Sequence, residues 1–537
     1  MQPLSSAMTT IRRSLLAALK SFLRGKSFLQ ALFAFWINPK AMAEHHTTTQ
    51  KTLPQRSLEE FLKEAERQFL GPIEGDELRK FSSDLKAQFR ERLSTHTECM
   101  LPSFSQLLPT GQETGQYLAL DVGGSTLRVA LVELRGRDQG GRESEIVRMV
   151  SFKITPEQKR LEGMAFFDWM AERIHEVIHK DVSPGQDHIP LGLAWSFPVE
   201  QVSMGGGLLL GMGKGFLATN GLLGQDLGEI IQSACMKQGL SVQLQSIIND
   251  SSATLLSQAY IHAETRFGLI LGTGTNIAVH LPVSALSRGK YGQRPDSWFK
   301  SASHVIVNTE LGMFGHNILP LTSWDDSLSA EHPRPDFQPL EHLLSGMYLG
   351  EICRHAIVEA VETSGLFGGQ LPPSLAHPYS LDTELLSRIE ADTTPNLTTA
   401  LTLFTAAHSS PHAPTTADLS FIRTLASLVT RRSAALLAAS VFALWELRRE
   451  TEAEFLASTP AINGYVPLLE QTAAEARLRR TKVAYNGSVI ERYPGYLGRC
   501  QGYIDALVGG DESVLLVPAL ESSILGAAVG LACAVEH

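Results

Sequence analysis

The sequence predicts an α/β fold in which two similar lobes face a shared cleft. The chain has 537 residues, 43% of them hydrophobic, which is enough for two cores. Apolar runs typical of strands alternate with amphipathic stretches typical of helices. Two glycine-rich turns, one in each half of the chain, are followed by similar strands and helices. This internal repeat predicts that the lobes are duplicates joined by a hinge.

The composition favours a small-molecule ligand. A net charge of −10 and a pI near 6.0 argue against general nucleic-acid binding, because affinity for a phosphate backbone needs clustered positive charge. Nothing in the composition predicts an oligomeric state. The five cysteines form no Cys-x-x-Cys pair and no metal-ligand spacing, which indicates reduced thiols in a cytoplasmic protein: Cys99, Cys235, Cys353, Cys500 and Cys533.

The N-terminal segment has a different composition from the rest. Residues 1–43 contain no Asp or Glu and carry six Lys or Arg. Within residues 9–37, apolar and basic side chains fall on different faces of a helix, and the apolar run 27–37 is too short to cross a bilayer. This pattern fits a mitochondrial presequence or a peripheral anchor on the mitochondrial outer membrane. A disordered extension is the alternative for this segment, which we place at residues 1–56.

The elements of the first half follow from capping residues and periodicity. Ser57 is the expected N-cap of a helix that begins at Leu58, and a second amphipathic helix is expected at 76–93. Apolar strands on both sides of the first glycine turn predict a hairpin. The chain then alternates between a strand at 147–154, a helix at 162–180, a strand at 191–197, a helix at 226–238 and a strand at 242–248.

The second half repeats the hairpin and adds a long helix. Strands at 267–271 and 275–279 enclose the second glycine turn. An apolar helix at 424–449 is expected in the core of the C-terminal lobe. Two polar or Thr-, Pro- and Ser-rich stretches, 391–419 and 457–480, are expected to be surface loops.

The two glycine turns are predicted to bind phosphate groups. Glycine allows the backbone to approach an anion closely, and turn amides with Ser and Thr hydroxyls supply donors without a lysine. A hairpin that only connects strands is the alternative for either turn alone, and their repetition favours binding. The candidate residues are Gly123, Gly124, Ser125 and Thr126, and then Gly272, Thr273, Gly274 and Thr275.

Asp250 is the candidate general base. It lies where a strand ends and a helix begins, so its carboxylate is held on a fixed element; a capping Asp without a catalytic role is the alternative. Lys214 lies between two glycines and can reach a ligand oxygen, although a solvated lysine is the alternative. Other polar candidates, each of which could be an ordinary surface group, are Ser196, Asn276, Glu310 and Glu341.

In this order, the motifs resemble the hexokinase family of the sugar kinase, actin and Hsp70 superfamily, and divergent filamentous-fungal members in particular. The resemblance extends from about Ser57 to the C-terminus. It implies a two-lobed, actin-like ATPase fold of the ribonuclease H-like type, with duplicated sheet and helix domains around a cleft. It also implies a small lobe at 57–247, a large lobe at 248–537 and a final helix that returns to the small lobe.

The resemblance assigns residues to the two substrates. On the sugar side it implies Ser196, Phe197, Pro198, Lys214, Asn249, Asp250, Asn276, Glu310 and Glu341. On the nucleotide side it implies Asp121, Gly123, Gly124, Ser125, Thr126, Arg128, Gly272, Thr273, Gly274, Thr275, Gly487, Ser488, Ser523 and Gly526.

The implied reaction is the ATP-dependent phosphorylation of a glucose-like hexose, which feeds glycolysis, with ATP and Mg²⁺ as cofactors. Asp250 would take the proton from the sugar 6-hydroxyl as it attacks the γ-phosphate. Lys214 and the turn amides would stabilise the transferring group, and Asp121 would contact the metal through water. Closure of the lobes on the sugar would exclude water.

Several residues depart from the family's usual pattern. Met212-Gly213 stands where Trp-Thr is usual, which removes a hydroxyl expected to bond the sugar. Ile524 stands where a glycine is usual, and its branched side chain is expected to crowd ATP. These departures leave a second interpretation open, a non-catalytic sugar or nucleotide sensor associated with mitochondria. Three further departures are Thr126 for Asn, Leu311 for Trp and Asn486 for Asp.

Overall fold

The structure, a computed structural model, describes residues 56–95, 97–179, 188–213, 215–460 and 466–535. The predicted targeting segment at 9–37 and Lys214 lie outside these ranges. The strands are β1 (Leu101–Pro102), β2 (Thr114–Val122), β3 (Thr126–Arg135), β4 (Ser144–Lys153), β5 (Ile189–Trp195), β6 (Val199–Gln201), β7 (Gly207–Leu209), β8 (Val242–Ile248), β9 (Thr265–Leu271), β10 (Thr275–Pro282), β11 (His304–Asn308), β12 (Arg480–Asn486) and β13 (Ser513–Pro518).

The helices connect and cover these strands. They are α1 (Leu58–Leu70), α2 (Asp76–Thr95), α3 (Pro156–Lys159), α4 (Met164–Ile178), α5 (Leu227–Lys237), α6 (Asp250–Ile261), α7 (Asp296–Ser301), α8 (Ser323–Glu331), α9 (Pro339–Leu344), α10 (Gly346–Ser364), α11 (Thr383–Ala391), α12 (Thr398–Ala407), α13 (Thr416–Ser458), α14 (Val466–Ala476), α15 (Ser488–Arg492), α16 (Tyr496–Val508) and α17 (Ser522–Val535). Single 3₁₀ turns occur at Gly71–Ile73, Val283–Ala285, Arg288–Tyr291, Leu311–Met313, Leu366–Gly369 and Pro373–Ala376.

Two sheets share one topology. The first has the order β4-β3-β2-β5-β8, in which β4, β3 and β2 are antiparallel and β5 and β8 run parallel to β2. The second has the order β1-β11-β10-β9-β12-β13, in which β11, β10 and β9 are antiparallel and β12 and β13 run parallel to β9. Each sheet therefore consists of an antiparallel meander followed by two parallel strands. This confirms the predicted duplication.

Three apolar cores stabilise the sheets. The first lies between the first sheet and helices α4 and α5. The second is the largest and surrounds α13 beside the second sheet. The third contains α6 and α17, whose small residues pack against strands of both sheets. Because α6 begins at Asp250, this helix fixes the candidate base to the region where the two duplicated halves meet.

Helices α1 and α2 pack in the second core, together with α13 and the second sheet. The rings of Phe61 and Phe69 lie 5.7 and 5.0 Å from that of Trp324, and Lys86 pairs with Glu446 of α13 at 3.1 Å. The amphipathic faces of α1 and α2 therefore pack on the long helix α13. The final helix α17 packs on strands β2, β5 and β8 of the first sheet.

Helix α13 is longer than expected, at 43 residues from Thr416 to Ser458. Within the described residues, it is the one helix long and apolar enough to cross a membrane, and 89% of its apolar window is buried inside the molecule. Its buried Arg432 pairs with Asp325 at 2.6 Å. Two expected loops are partly helical: 391–419 contains α12 and the start of α13, and 457–480 contains α14. Composition alone was misleading there, since Thr-rich and polar segments form amphipathic helices when a core is available.

Candidate functional site

The first glycine turn is a tight connection between β2 and β3. The Gly123 amide donates to the Thr126 carbonyl at 3.0 Å, and the Ile154 amide donates to the Ser125 carbonyl at 2.8 Å. Gly123, Gly124 and Thr126 are half-buried, and Ser125 is exposed. The turn is therefore held by backbone hydrogen bonds from two sides while its tip remains open to a ligand.

The second glycine turn joins β9 and β10 in the same way. The Gly272 amide donates to the Gly274 carbonyl at 3.0 Å. The Thr275 hydroxyl donates to the Ile270 carbonyl at 3.1 Å. Thr273, at the tip, is exposed. The two predicted turns thus occupy equivalent positions in the duplicated sheets.

The Gly487-Ser488 pair lies directly against the second turn. A Cβ atom added to Gly272 would lie 3.4 Å from the Ser488 amide nitrogen. Gly487 has φ +132°, and a Cβ atom there would lie 2.2 Å from the Leu271 carbonyl oxygen, so only glycine fits. The structure therefore brings these two predicted nucleotide motifs together.

Asp250 is held by a serine from a neighbouring strand. Ser196 follows β5, its amide donates to the Val122 carbonyl at 3.2 Å, and its hydroxyl lies 2.9 Å from each carboxylate oxygen of Asp250. Asn249 is the N-cap of α6, and its side-chain oxygen accepts from the Ser252 amide at 2.8 Å. The parallel strands β2, β5 and β8 end side by side, and Ser196, Asn249 and Asp250 all lie at this edge of the sheet.

Asp121, at the end of β2, belongs to the same group. Its side chain is 12% exposed. Burial raises the pKa of Asp121 to about 7, the neighbouring Asp250 carboxylate adds to this shift, and Arg128 opposes it. Arg128 faces Asp121 across the β2–β3 pair, with Nη1 3.4 Å from the Asp121 carboxylate and 3.5 Å from that of Glu521. Two carboxylates that repel each other, those of Asp121 and Asp250, therefore lie close to the Arg128 guanidinium beside the first glycine turn.

A chain of amide hydrogen bonds extends from β10 to Glu310. The Asn276 amide group donates to Asn308 Oδ1 at 2.7 Å, and the Asn308 amide group donates to Glu310 Oε1 at 2.8 Å. Burial raises the pKa of Glu310, and the hydrogen bond from Asn308 opposes this. Glu310 has φ +52°, which is uncommon for a residue with a long side chain. Asn308 was missed in the sequence, although its position at the end of β11, two residues before Glu310, was a usable signal.

Glu341 lies against the second glycine turn. Its Oε2 atom accepts from the Thr275 amide at 2.9 Å. A Cβ atom added to Gly274 would lie 2.9 Å from the same oxygen. The structure thus shows this carboxylate supporting the turn. The sequence could not predict this contact because Glu341 is far from the turn along the chain.

The remaining sugar-side candidates occupy one corner of the first core. Phe197 is buried, and its ring lies 5.1 Å from that of Phe216. Pro198 is exposed. Met212 is also buried, and Gly213 has φ +59°. Lys214 lies outside the described residues, so the structure gives no position for its ammonium group.

The start of α17 carries the last nucleotide-side candidates. Ser522 is buried and its hydroxyl lies 3.0 Å from that of Thr254 in α6; Ser523 is half-buried. A Cβ atom added to Gly526 would lie 2.1 Å from the Ala253 carbonyl oxygen, so Gly526 allows α17 to approach α6 closely. Ile524 is fully buried in the third core. Its side chain therefore fills the interior, which differs from the expectation that it would crowd ATP.

The two sheets share one topology, and each carries a glycine turn at the equivalent position. This duplication is that of a two-lobed protein of the actin-like ATPase class. A family model described as "Hexokinase" matches residues 62–260, and a second with the same description matches residues 266–533. The chain belongs to the hexokinase family.

Individual relatives agree with this assignment. The chain is 30% identical to a hexokinase of Schwanniomyces occidentalis over 465 residues, which cover 85% of this chain and 89% of the relative. It is 30% identical to hexokinase-2 of Candida albicans over 503 residues, which cover 92% and 95%. Among solved structures, a Schistosoma mansoni hexokinase complexed with glucose matches with a TM-score of 0.69 and 27% identity, over 89% of this chain and all of that one.

Proposed function

We propose that this chain transfers the γ-phosphoryl group of ATP to the 6-hydroxyl of a hexose, with glucose as the substrate. The observation that carries the proposal is the Asp250 carboxylate, held by the Ser196 hydroxyl at 2.9 Å next to Asp121 and the first glycine turn. A carboxylate in a defined orientation can accept the proton of an attacking alcohol. The glycine turns supply the donors that a phosphoryl group requires. Family membership supports the same reaction.

On the sugar side, we assign the polar groups around Asp250 and Asn276 to the hexose hydroxyls. Asn276, Asn308 and Glu310 form a preorganised donor and acceptor chain, which suits a polyhydroxylated ligand. The other residues proposed to line this side are Ser196, Phe197, Pro198, Lys214, Asn249 and Glu341. Lys214 is also proposed to stabilise the transferring group.

On the nucleotide side, the two turns and Arg128 are proposed to bind the ATP phosphates, with Gly487, Ser488, Ser523 and Gly526 nearer the nucleoside. The donor set around Asp121 fits Mg²⁺, which prefers carboxylate and water oxygens. A cation would also relieve the repulsion between Asp121 and Asp250, which contributes to the raised pKa of Asp121. Asp121 would hold Mg²⁺ through water, and the bound ion would offset phosphate charge.

A coupled assay of glucose-dependent ADP production tests the proposal on the full chain. Asp250→Asn keeps the size of the side chain and its contact with Ser196 but removes the base, so we expect kcat to fall by at least about 10²-fold. Asp511→Asn is the control, because Asp511 is an exposed residue in a turn before β13. Absence of turnover in the wild type, together with glucose binding by calorimetry, would instead support the non-catalytic sensor.

We also propose that the protein works in the cytoplasm and contacts the mitochondrial surface through residues 9–37. The basic, acid-free composition of residues 1–43 supports this. A fluorescent reporter fused to residues 1–56 should label mitochondria. A diffuse signal would contradict the proposal, and replacing Arg12, Arg13, Lys20 and Arg24 with Gln should abolish the label.

A further inference from the structure

Glu521 is an acidic residue at the nucleotide side that the assignments above do not use. It lies directly before α17 and has φ +48°, a backbone conformation that residues with long side chains rarely adopt. This conformation is over-determined by its surroundings, since Ser522 is fixed to Thr254 at 3.0 Å and Gly526 packs on α6. The carboxylate of Glu521 is therefore carried on a fixed element.

Arg128 lies between two carboxylates. Its Nη1 atom is 3.4 Å from Oδ2 of Asp121 and 3.5 Å from Oε2 of Glu521. The Arg128 and Glu521 side chains are 35% and 44% exposed, so both are accessible to a ligand, whereas Asp121 is 12% exposed. Asp121 lies opposite Arg128 in the same hairpin. Glu521, by contrast, is far from Arg128 in the sequence and contacts it only through the fold.

We propose that Glu521 competes with the nucleotide phosphates for Arg128 and so weakens nucleotide binding. This inference rests on the proposed function for the role of Arg128. A guanidinium binds a phosphate or a carboxylate through the same nitrogen donors. A phosphate that binds Nη1 of Arg128 displaces Glu521 from this nitrogen, and the nearby Glu521 carboxylate then repels the phosphate. Glu521 therefore lowers the nucleotide affinity of the site.

Binding of the nonhydrolysable analogue AMP-PNP with Mg²⁺, measured by calorimetry on the full chain, tests this. Glu521→Gln keeps the shape of the side chain and removes its charge, so we expect the Kd to fall about two- to fivefold, the range of a partly exposed ion pair. In turnover assays the KM for ATP should fall by the same factor while the KM for glucose stays constant. Glu176→Gln, which removes a charge paired with Arg173 on α4, is the control and should change neither.

A second background identifies the route of the effect. If Glu521 acts through Arg128, Glu521→Gln should give a smaller gain in an Arg128→Met chain than in the wild type, because only the direct repulsion between Glu521 and the phosphate then remains. An equal gain in both backgrounds, an unchanged or higher Kd, or no nucleotide binding by either protein would overturn the inference. Nucleotide binding without glucose-dependent turnover would overturn the proposed function alone, because the calorimetric comparison needs no catalysis.

Discussion

The carboxylates of Asp121, at the end of β2, and Asp250, just after β8, interact unfavourably at the edge where the parallel strands of the first sheet end. Burial raises the pKa of Asp121 to about 7, and the charge of Asp250 adds to the shift. The ordinary pKa of an Asp is 3.8. Between these two values the folded chain retains a proton at Asp121 that the unfolded chain releases. Stability therefore falls as the pH rises through this window.

Asp121→Asn should remove this pH-dependent penalty. We expect the variant to gain stability over the wild type, with a larger gain at pH 8 than at pH 5 and a difference of more than about 1 kcal/mol, since one pKa unit corresponds to about 1.4 kcal/mol. Urea unfolding at both pH values measures this. Asp511→Asn is the matched control at an exposed turn. Equal gains for Asp121→Asn at the two pH values would contradict the assignment.

Ser196→Ala should impair turnover without removing the base. Both Asp250 oxygens lose the hydrogen bond from Ser196, so the carboxylate samples more orientations. A hydrogen bond to a charged group contributes about 1.5–3 kcal/mol, so we expect kcat to fall about ten- to hundredfold. Ser196→Thr, which retains the hydroxyl, should recover much of the loss. A kcat within twofold of the wild type in Ser196→Ala would show that Ser196 does not orient Asp250.

Ile524→Gly, which restores the usual glycine of the family, should destabilise the chain rather than raise activity. Ile524 is fully buried in the third core. The substitution therefore leaves a cavity in this core and also places a glycine, a poor helix former, in α17. We expect a loss of about 3–5 kcal/mol in the free energy of unfolding. Leu520→Ala, at a residue that is 69% exposed, should cost less than about 0.5 kcal/mol. Higher turnover by Ile524→Gly at unchanged stability would show that Ile524 does crowd the nucleotide.

Two helical glycines should respond in opposite directions to alanine. Gly526→Ala places a Cβ atom 2.1 Å from the Ala253 carbonyl oxygen and should separate α17 from α6. Gly502→Ala in α16 meets nothing within 4 Å and should stabilise the chain by up to about 1 kcal/mol, because alanine is the better helix former. Thermal unfolding compares the pair. A stabilised Gly526→Ala would mean that the helices can move apart without cost.

Local patterns were sufficient to predict the hairpins, the duplication and the position of Asp250. Apolar alternation around Gly123 and Gly272 identifies each turn without any knowledge of the rest of the fold. The strand that ends before Asn249 places Asp250 at a helix start in the same way. These features depend on residues that are close together in the sequence, and for that reason they can be predicted from the sequence alone.

Other contacts depend on which surfaces meet and could not be predicted. The amphipathic face of α2 shows that it packs on something, but only the structure shows that its partner is α13. The contact of Glu341 with Thr275 and the burial of Ile524 likewise join segments that are distant in sequence. The expectation for Ile524 was wrong because this residue lies in the first turn of α17, and a helix directs one side chain in every turn toward the interior.

The position of α17 determines when the first sheet can be completed during synthesis. Its strands come from residues 114–248, yet Ala527 of α17 contacts Gly192 of β5 closely enough that a Cβ atom there would lie 2.2 Å from the Ala527 carbonyl oxygen. The ribosome must therefore add more than half of the chain before the helix that covers this sheet emerges. Until then, the apolar face formed by β2, β5 and α6 remains available to chaperones and to aggregation.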